Sequence, residues 1–356
     1  MESNIKKISR KDIVFLKAYK SARKIGGNGN IWLNANEFPE SSMFNLNNIK
    51  LNRYPDCQPK ELILRYSIYS NISIKNILVS RGSDEAIELL MRVFCIPGKD
   101  SIMTFPPTYG MYSKIAEIYG IKNISIPMID NIFLDLLKIK KYLFKTKIIY
   151  ICSPNNPTGN IINVDIIINI LKLTLGKVIV VIDEAYIEFC INKSIIFLLK
   201  RFSNLVILRT LSKAFGLAGI RCGFTLAHSD IIKLLKKVIA PYPLPIPSIN
   251  IAIQALSKTE ILNMKNKVLK LNNNKIWLLN QLKKNNLIKH IFYSETNYLL
   301  VHFFNAKDVF HILWNQGIIL RQQDHEMTLK NHIRISIGTK KECLCLINAL
   351  KNISLN

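Results

Sequence analysis

The feature that most constrains this chain is a series of short, unbroken apolar runs set between amphipathic stretches. "KNILVS", "DSIMTF", "TKIIYICS", "KVIVVIDEAY" and "NLVILRT" are continuous runs, not alternating ones, and "KNISIPM" reads as a further strand of the series. A strand that is apolar on both faces is buried on both, which is the mark of a parallel sheet. Between these runs, "GSDEAIELLMRVFCIPG", "TYGMYSKIAEIYG", "LDLLKIKKYLF", "VDIIINILKLTLG" and "SIIFLLKRF" read as helices, and "AGIRCGFTLAH" closes the series as a further strand. Asp84 and Glu85 fall in a first helical turn, where acidic side chains suit the helix dipole. Alternating βα units of this kind predict a large three-layer α/β/α domain around a mostly parallel sheet.

The chain has 356 residues, more than one core usually organises, so a second and smaller domain is expected. Residues 1–30 read as a polar N-terminal arm and 31–245 as the large domain. The proline-rich "APYPLPIPSIN" marks a boundary. Residues 246–356 read as a small α+β domain, completed by the N-terminal segment. It begins with one long helical stretch from Ile249 to about Leu287. The strands "NYLLVHFF" and "HIRISIG" then flank the helix "AKDVFHILWNQG".

The formal charge of +25 would suit a nucleic-acid partner if it were clustered. Here the lysines are scattered, and Ile, Asn and Lys, whose codons are AT-rich, are all abundant. No nucleic-acid reader motif accompanies the charge, so none is expected as a partner. The N-terminus "MESNIKKISRKD" is no secretory signal, and the most apolar stretches are short and broken by charge. A cytoplasmic chain without membrane contact is expected. The seven cysteines are scattered without a CxxC pair, so neither a disulfide framework nor a metal site is expected.

In an α/β sheet the ligand lies off the carboxyl ends of the strands. Four predicted strand ends each deliver polar groups there: "RGSDEA", "PNNPTG", "DEAY" and "LSKAFG". Taken singly, each has a plain structural explanation. A helix N-terminus usually binds water, an Asp can cap a helix, and a loop lysine can be solvated. Arg221, inside apolar "AGIRCGF", is harder to place without an anion.

One chemistry unites them: a pyridoxal phosphate site. Lys213 would form a Schiff base with the aldehyde. Asp183 would pair with the protonated pyridine nitrogen and keep the ring an electron sink. The helix starting near Ser83 and Asp84, with Ser212 and Arg221, would hold the phosphate. Tyr109 would cover the ring face. Asn156 and Tyr186 would hydrogen-bond the phenolic oxygen.

On these residues the chain resembles the fold-type I, class II pyridoxal-phosphate-dependent aminotransferases, and among them the histidinol-phosphate aminotransferase family. "PNNPTG" and "SKAFGLAGIR" carry the superfamily likeness. "NANE", "RYPDCQP" and "APYPLP" narrow it, and the likeness runs nearly end to end. Departures are small: Ala18 stands where proline is expected and Ser83 where alanine is usual. The resemblance implies that Lys213, Asp183, Tyr186 and Asn156 are catalytic. It implies that Tyr54 reaches the cofactor phosphate of a neighbouring subunit, and hence a homodimer. It also implies that Arg334 clamps the glutamate carboxylate, with Arg321 and Tyr19 as further substrate contacts. The expected reaction moves the amino group of L-glutamate to imidazole-acetol phosphate, giving L-histidinol phosphate and 2-oxoglutarate. Threonine-phosphate decarboxylases and aminotransferases of aromatic amino acids share the scaffold and stay open as alternatives.

Overall fold

The computed structural model describes residues 8–19, 21–22, 26–47, 50–324 and 326–353. The arm expected over residues 1–30 lies partly outside these. Its described part includes a short helix, Lys11–Phe15.

The strands are β1 (Ile31–Trp32), β2 (Ile77–Ser80), β3 (Ser101–Thr104), β4 (Lys122–Ser125), β5 (Thr146–Cys152), β6 (Ile179–Asp183), β7 (Leu205–Thr210) and β8 (Gly223–Ala227). The C-terminal part adds β9 (Ile288–Ile291), β10 (Tyr298–Phe303), β11 (Ile318–Ile319), β12 (Arg321–Gln322) and β13 (His332–Ser336). Seven strands form the main sheet, in the order β2-β8-β7-β6-β5-β3-β4. Pairs β4/β3, β3/β5, β5/β6 and β6/β7 are parallel. Strand β8 runs antiparallel to both its neighbours, so it alone opposes the other six.

The apolar runs are continuous because each central strand feeds two cores. Ile149 and Ile151 of β5 face one core with Val180 and Ile182 of β6. Ile148, Tyr150 and Val181 face the other. Helices Lys60–Ser70 and Val164–Thr174 cover the first face. Helices Gly82–Phe94, Met111–Ile118 and Ser229–Val238 cover the second. Alternate side chains of one strand therefore enter different layers, as the period of two requires.

A second sheet, in the order β12-β13-β10-β9, is antiparallel throughout. Strand β1 pairs with β11, which joins the start of the expected large domain to the C-terminal part of the chain. Three local expectations differ from the structure. The long helical stretch is two helices, Ile246–Ala255 and Lys258–Leu282, with the Ser257 side chain accepting the Glu260 N–H at the break. "SIIFLLKRF" forms only a 3-10 turn, Ile196–Lys200. Arg221 is not inside a strand: it has a left-handed backbone (φ 53°) two residues before β8.

Candidate active site

With β8 reversed, its first residue meets the carboxyl ends of β2 and β7, since Gly223 pairs with Ser80 and Thr210. Everything that follows β2, β5, β6 and β7, and everything that precedes β8, therefore meets at one rim.

Strand β6 ends on Asp183, only 2% exposed. Its carboxylate accepts the Tyr112 hydroxyl at 2.8 Å and the Ala185 N–H at 3.1 Å. Loss of water pushes its carboxyl up to about 6, against the pull of those two donors. Past β7, Thr210 Oγ1 donates to Ser212 Oγ at 2.9 Å and fixes the turn that carries Lys213. Lys213 Nζ donates to the Ala35 carbonyl at 3.3 Å and lies 5.7 Å from the Tyr186 ring centre. Burial first, and then the charge of Arg334, lower its ammonium to about 8.

Gly82 opens the helix after β2 with φ 75°, a backbone that disfavours any side chain. A Cβ there would stand 2.7 Å from a guanidinium nitrogen of Arg221. A Cβ on Gly223 would stand 2.5 Å from the Gly82 carbonyl carbon. The two glycines let these segments close up, so Ser83, Asp84, Ser212 and Arg221 line one end of a cavity. Past β5, the Asn156 side-chain Oδ1 accepts from Arg334 at 2.7 Å. Arg334 also donates to the Asn34 carbonyl at 2.7 Å, and its Nε is buried with no hydrogen-bond partner among the described residues. The Tyr186 hydroxyl accepts from Asn36 at 3.0 Å, and Asn36 is itself held by Ser336 and Asn297.

These side chains line two joined compartments, both partly open to solvent. The inner one, about 490 Å³, holds Ser83, Asp84, Tyr109, Asn156, Asp183, Tyr186, Ser212, Lys213 and Arg221. The outer one, about 1090 Å³, adds Tyr19, Arg321 and Arg334. Lys213 and Asn156 line both. Arg321 and Arg334 are direct register partners of β12 and β13, which sets two cations side by side. Tyr54 is not brought to either compartment: it is 79% exposed and stacks on Tyr242, ring centres 4.2 Å apart.

Sequence reasoning missed Tyr112, Thr210 and Cys152 in this site, and the contact of Asn36 with Tyr186. Tyr112 carried the one usable signal, for it follows Tyr109 by three residues and so lies about one helical turn on.

The chain belongs to the class I and II aminotransferases, whose family model matches residues 30–350. Its relatives narrow the likeness. The histidinol-phosphate aminotransferase of Buchnera aphidicola subsp. Melaphis rhois is 54% identical over 353 residues, covering 99% of this chain and 98% of that one. Among solved structures, the histidinol-phosphate aminotransferase of Clostridium acetobutylicum is 25% identical with a TM-score of 0.82, over 90% of this chain and 98% of that one. The Sinorhizobium meliloti enzyme of the same name, solved with pyridoxal-5'-phosphate, shares the fold with a TM-score of 0.84 at 20% identity, over 98% of each chain.

Proposed function

We propose that this aminotransferase is a histidinol-phosphate aminotransferase. It passes the amino group of L-glutamate to imidazole-acetol phosphate, reversibly, with pyridoxal 5'-phosphate as cofactor. The observation that carries the reading is the position of Lys213, at the seam between the inner and the outer compartment.

The residues present fit that cofactor. Asp183 is a buried carboxylate whose hydrogen-bond partners among the described residues are a hydroxyl and an amide, neither of them a cation. A protonated pyridine nitrogen is the cation such a site calls for. At the other end of the same cavity stand a helix N-terminus, Ser212 and Arg221, a donor set suited to a phosphate. When bound, the cofactor supplies a carbonyl for the amino group and an electron sink.

The chain's own residues do the rest. Lys213, its ammonium lowered to about 8, holds and moves a proton near neutral pH and is nucleophilic when neutral. Asn156 and Tyr186 offer hydrogen bonds to the ring oxygen, and Tyr109 flanks the ring. In the outer compartment Arg334 binds the glutamate carboxylate, and its buried Nε has a donor to spare. Histidinol phosphate brings a phosphate instead, which Arg334 and Arg321 would share, with Tyr19 adding a hydroxyl.

The reading includes a homodimer in which Tyr54, exposed and outside its own chain's cavity, reaches the partner's cofactor phosphate. It includes a division between residues 31–245 and 246–356, supported by the two sheets. No described helix is long and apolar enough to cross a membrane, and a cytoplasmic location belongs to the same proposal.

A half-reaction tests it. Purified protein is mixed with L-glutamate, then with imidazole-acetol phosphate, and the cofactor absorbance is followed. Glutamate should bleach the visible band and imidazole-acetol phosphate should restore it. A protein that ignores glutamate and releases CO2 from threonine phosphate would overturn the assignment.

A further inference from the structure

The inner compartment contains a carboxylate that none of these roles uses. The Asp84 side chain accepts the Tyr109 hydroxyl at 2.9 Å through Oδ1. Its Oδ2 lies 3.4 Å from the Arg221 guanidinium, in an ion pair. The seat proposed above for a phosphate thus has an acid beside it, and a like charge there disfavours a dianion. The same charge also raises the pKa of Asp183 and of Lys213.

We propose that Asp84 is a positioning residue: its carboxylate bridges Tyr109, which covers the ring seat, to Arg221, which takes the phosphate, and so orients both. The proposal rests on the pyridoxal phosphate reading. Arg221 needs such a tether. Its side chain is 46% exposed, and its contacts with the Ala218 carbonyl at 3.3 Å and Ser212 Oγ at 3.5 Å are to neutral groups, so Asp84 at 3.4 Å is the one charged partner among its hydrogen bonds to the described residues. Left-handed at its own Cα, it reaches Asp84 across Gly82, where any Cβ would block the guanidinium. Tyr109 needs it as well. Its ring meets Tyr112 edge-on with centres 5.5 Å apart, and Tyr112 in turn donates to Asp183. Asp84, Tyr109, Tyr112 and Asp183 form one chain of contacts. It runs from the phosphate end of the cavity to the ring-nitrogen end.

The two roles open to a carboxylate here predict opposite signs. A mere like charge weakens cofactor binding, so its removal tightens binding. A tether strengthens binding, so its removal weakens it. The protein and its variants D84N, D84A, Y109F and D84A/Y109F are stripped of cofactor and titrated with pyridoxal 5'-phosphate, with the dissociation constant and the induced circular dichroism of the visible band as readouts. D84A should raise the dissociation constant roughly tenfold or more and reduce the induced dichroism, with D84N intermediate because its amide oxygen still accepts one bond. The double variant should be little weaker than D84A, since both changes break one contact. Unfolding midpoints of the cofactor-free variants should stay close to the parent, because the Asp84 side chain is 39% exposed. Tighter or unchanged binding in D84A, with the dichroism intact, overturns the proposal, as does strict additivity in the double variant. If the parent protein itself takes up no pyridoxal phosphate, the reading of the cavity fails, and the role of Asp84 falls with it.

Discussion

Asp183 carries a burial cost in the cofactor-free protein that its two hydrogen-bond donors offset only in part and that a cation beside it would relieve. Its carboxyl titrates near 6 in the fold, against 3.8 for the free side chain. Between those values the folded chain holds a proton that the unfolded chain has released. Stability therefore falls as pH rises through this window, and the deficit is complete above pH 6. A shift of about two units corresponds to roughly 3 kcal/mol as an upper figure. Asp183→Asn removes the charge and keeps an acceptor for Tyr112. Urea unfolding of the cofactor-free variant should show a gain of up to about 3 kcal/mol at pH 7.5 that shrinks toward pH 4. On the proposed role its transamination rate should fall by roughly 100-fold or more, because the ring nitrogen would lose its counter-charge. An Asn variant no more stable than the parent at pH 7.5 would show that burial does not strain this carboxylate. A gain in stability together with a loss of rate would mark a residue kept against stability, as a site residue often is.

At the level of elements, the reversed strand β8 decides most of the inner cavity. It brings Gly223 beside Gly82 and sets Arg221 just ahead of the strand. Gly82→Ala forces a left-handed backbone on alanine, at about 1–2 kcal/mol, and pushes the guanidinium aside. Cofactor affinity should fall more than this strain alone accounts for, while the melting temperature drops only a few degrees. Equilibrium titration and calorimetry on the same samples separate the two effects, and unchanged affinity would remove Arg221 from the phosphate seat. The break near Ser257 has a local cause: Ser257 and Glu260 form a helix-start pattern inside an apolar-periodic run. The two helices then pack differently, Ile246–Ala255 against Lys60–Ser70 and Lys258–Leu282 against Lys340–Lys351. The 3-10 turn Ile196–Lys200 has a distant cause. Glu184 accepts the Ile195 N–H at 2.9 Å while paired with buried Arg209 at 2.7 Å. That pin holds the chain where helical periodicity alone predicts a helix.

For the whole molecule, the proposed shared site predicts complementation between subunits. Tyr54→Phe and Lys213→Ala should each be poorly active. Mixed and allowed to exchange subunits, they should regain one intact site in each heterodimer. Exchange confirmed by mass spectrometry without recovered activity would confine the site to one chain. The α/β class was legible in the residues alone, because a strand buried on both faces must be apolar throughout, and that is a local property. The residue types at the strand ends were legible too, since Asp183 closes an apolar run and Asn156 and Lys213 come within a few residues of the end of one. The partners were not. Tyr112 meets Asp183 across 71 residues, Asn36 meets Tyr186 across 150, and Arg334 meets Asn156 across 178. The direction of β8 and the register that sets Arg321 beside Arg334 belong with them. A periodicity records which face of an element is buried, but not which distant side chain will lie against it. That was decided by the tertiary packing of helices, loops and both sheets, which brings these residues within hydrogen-bonding reach.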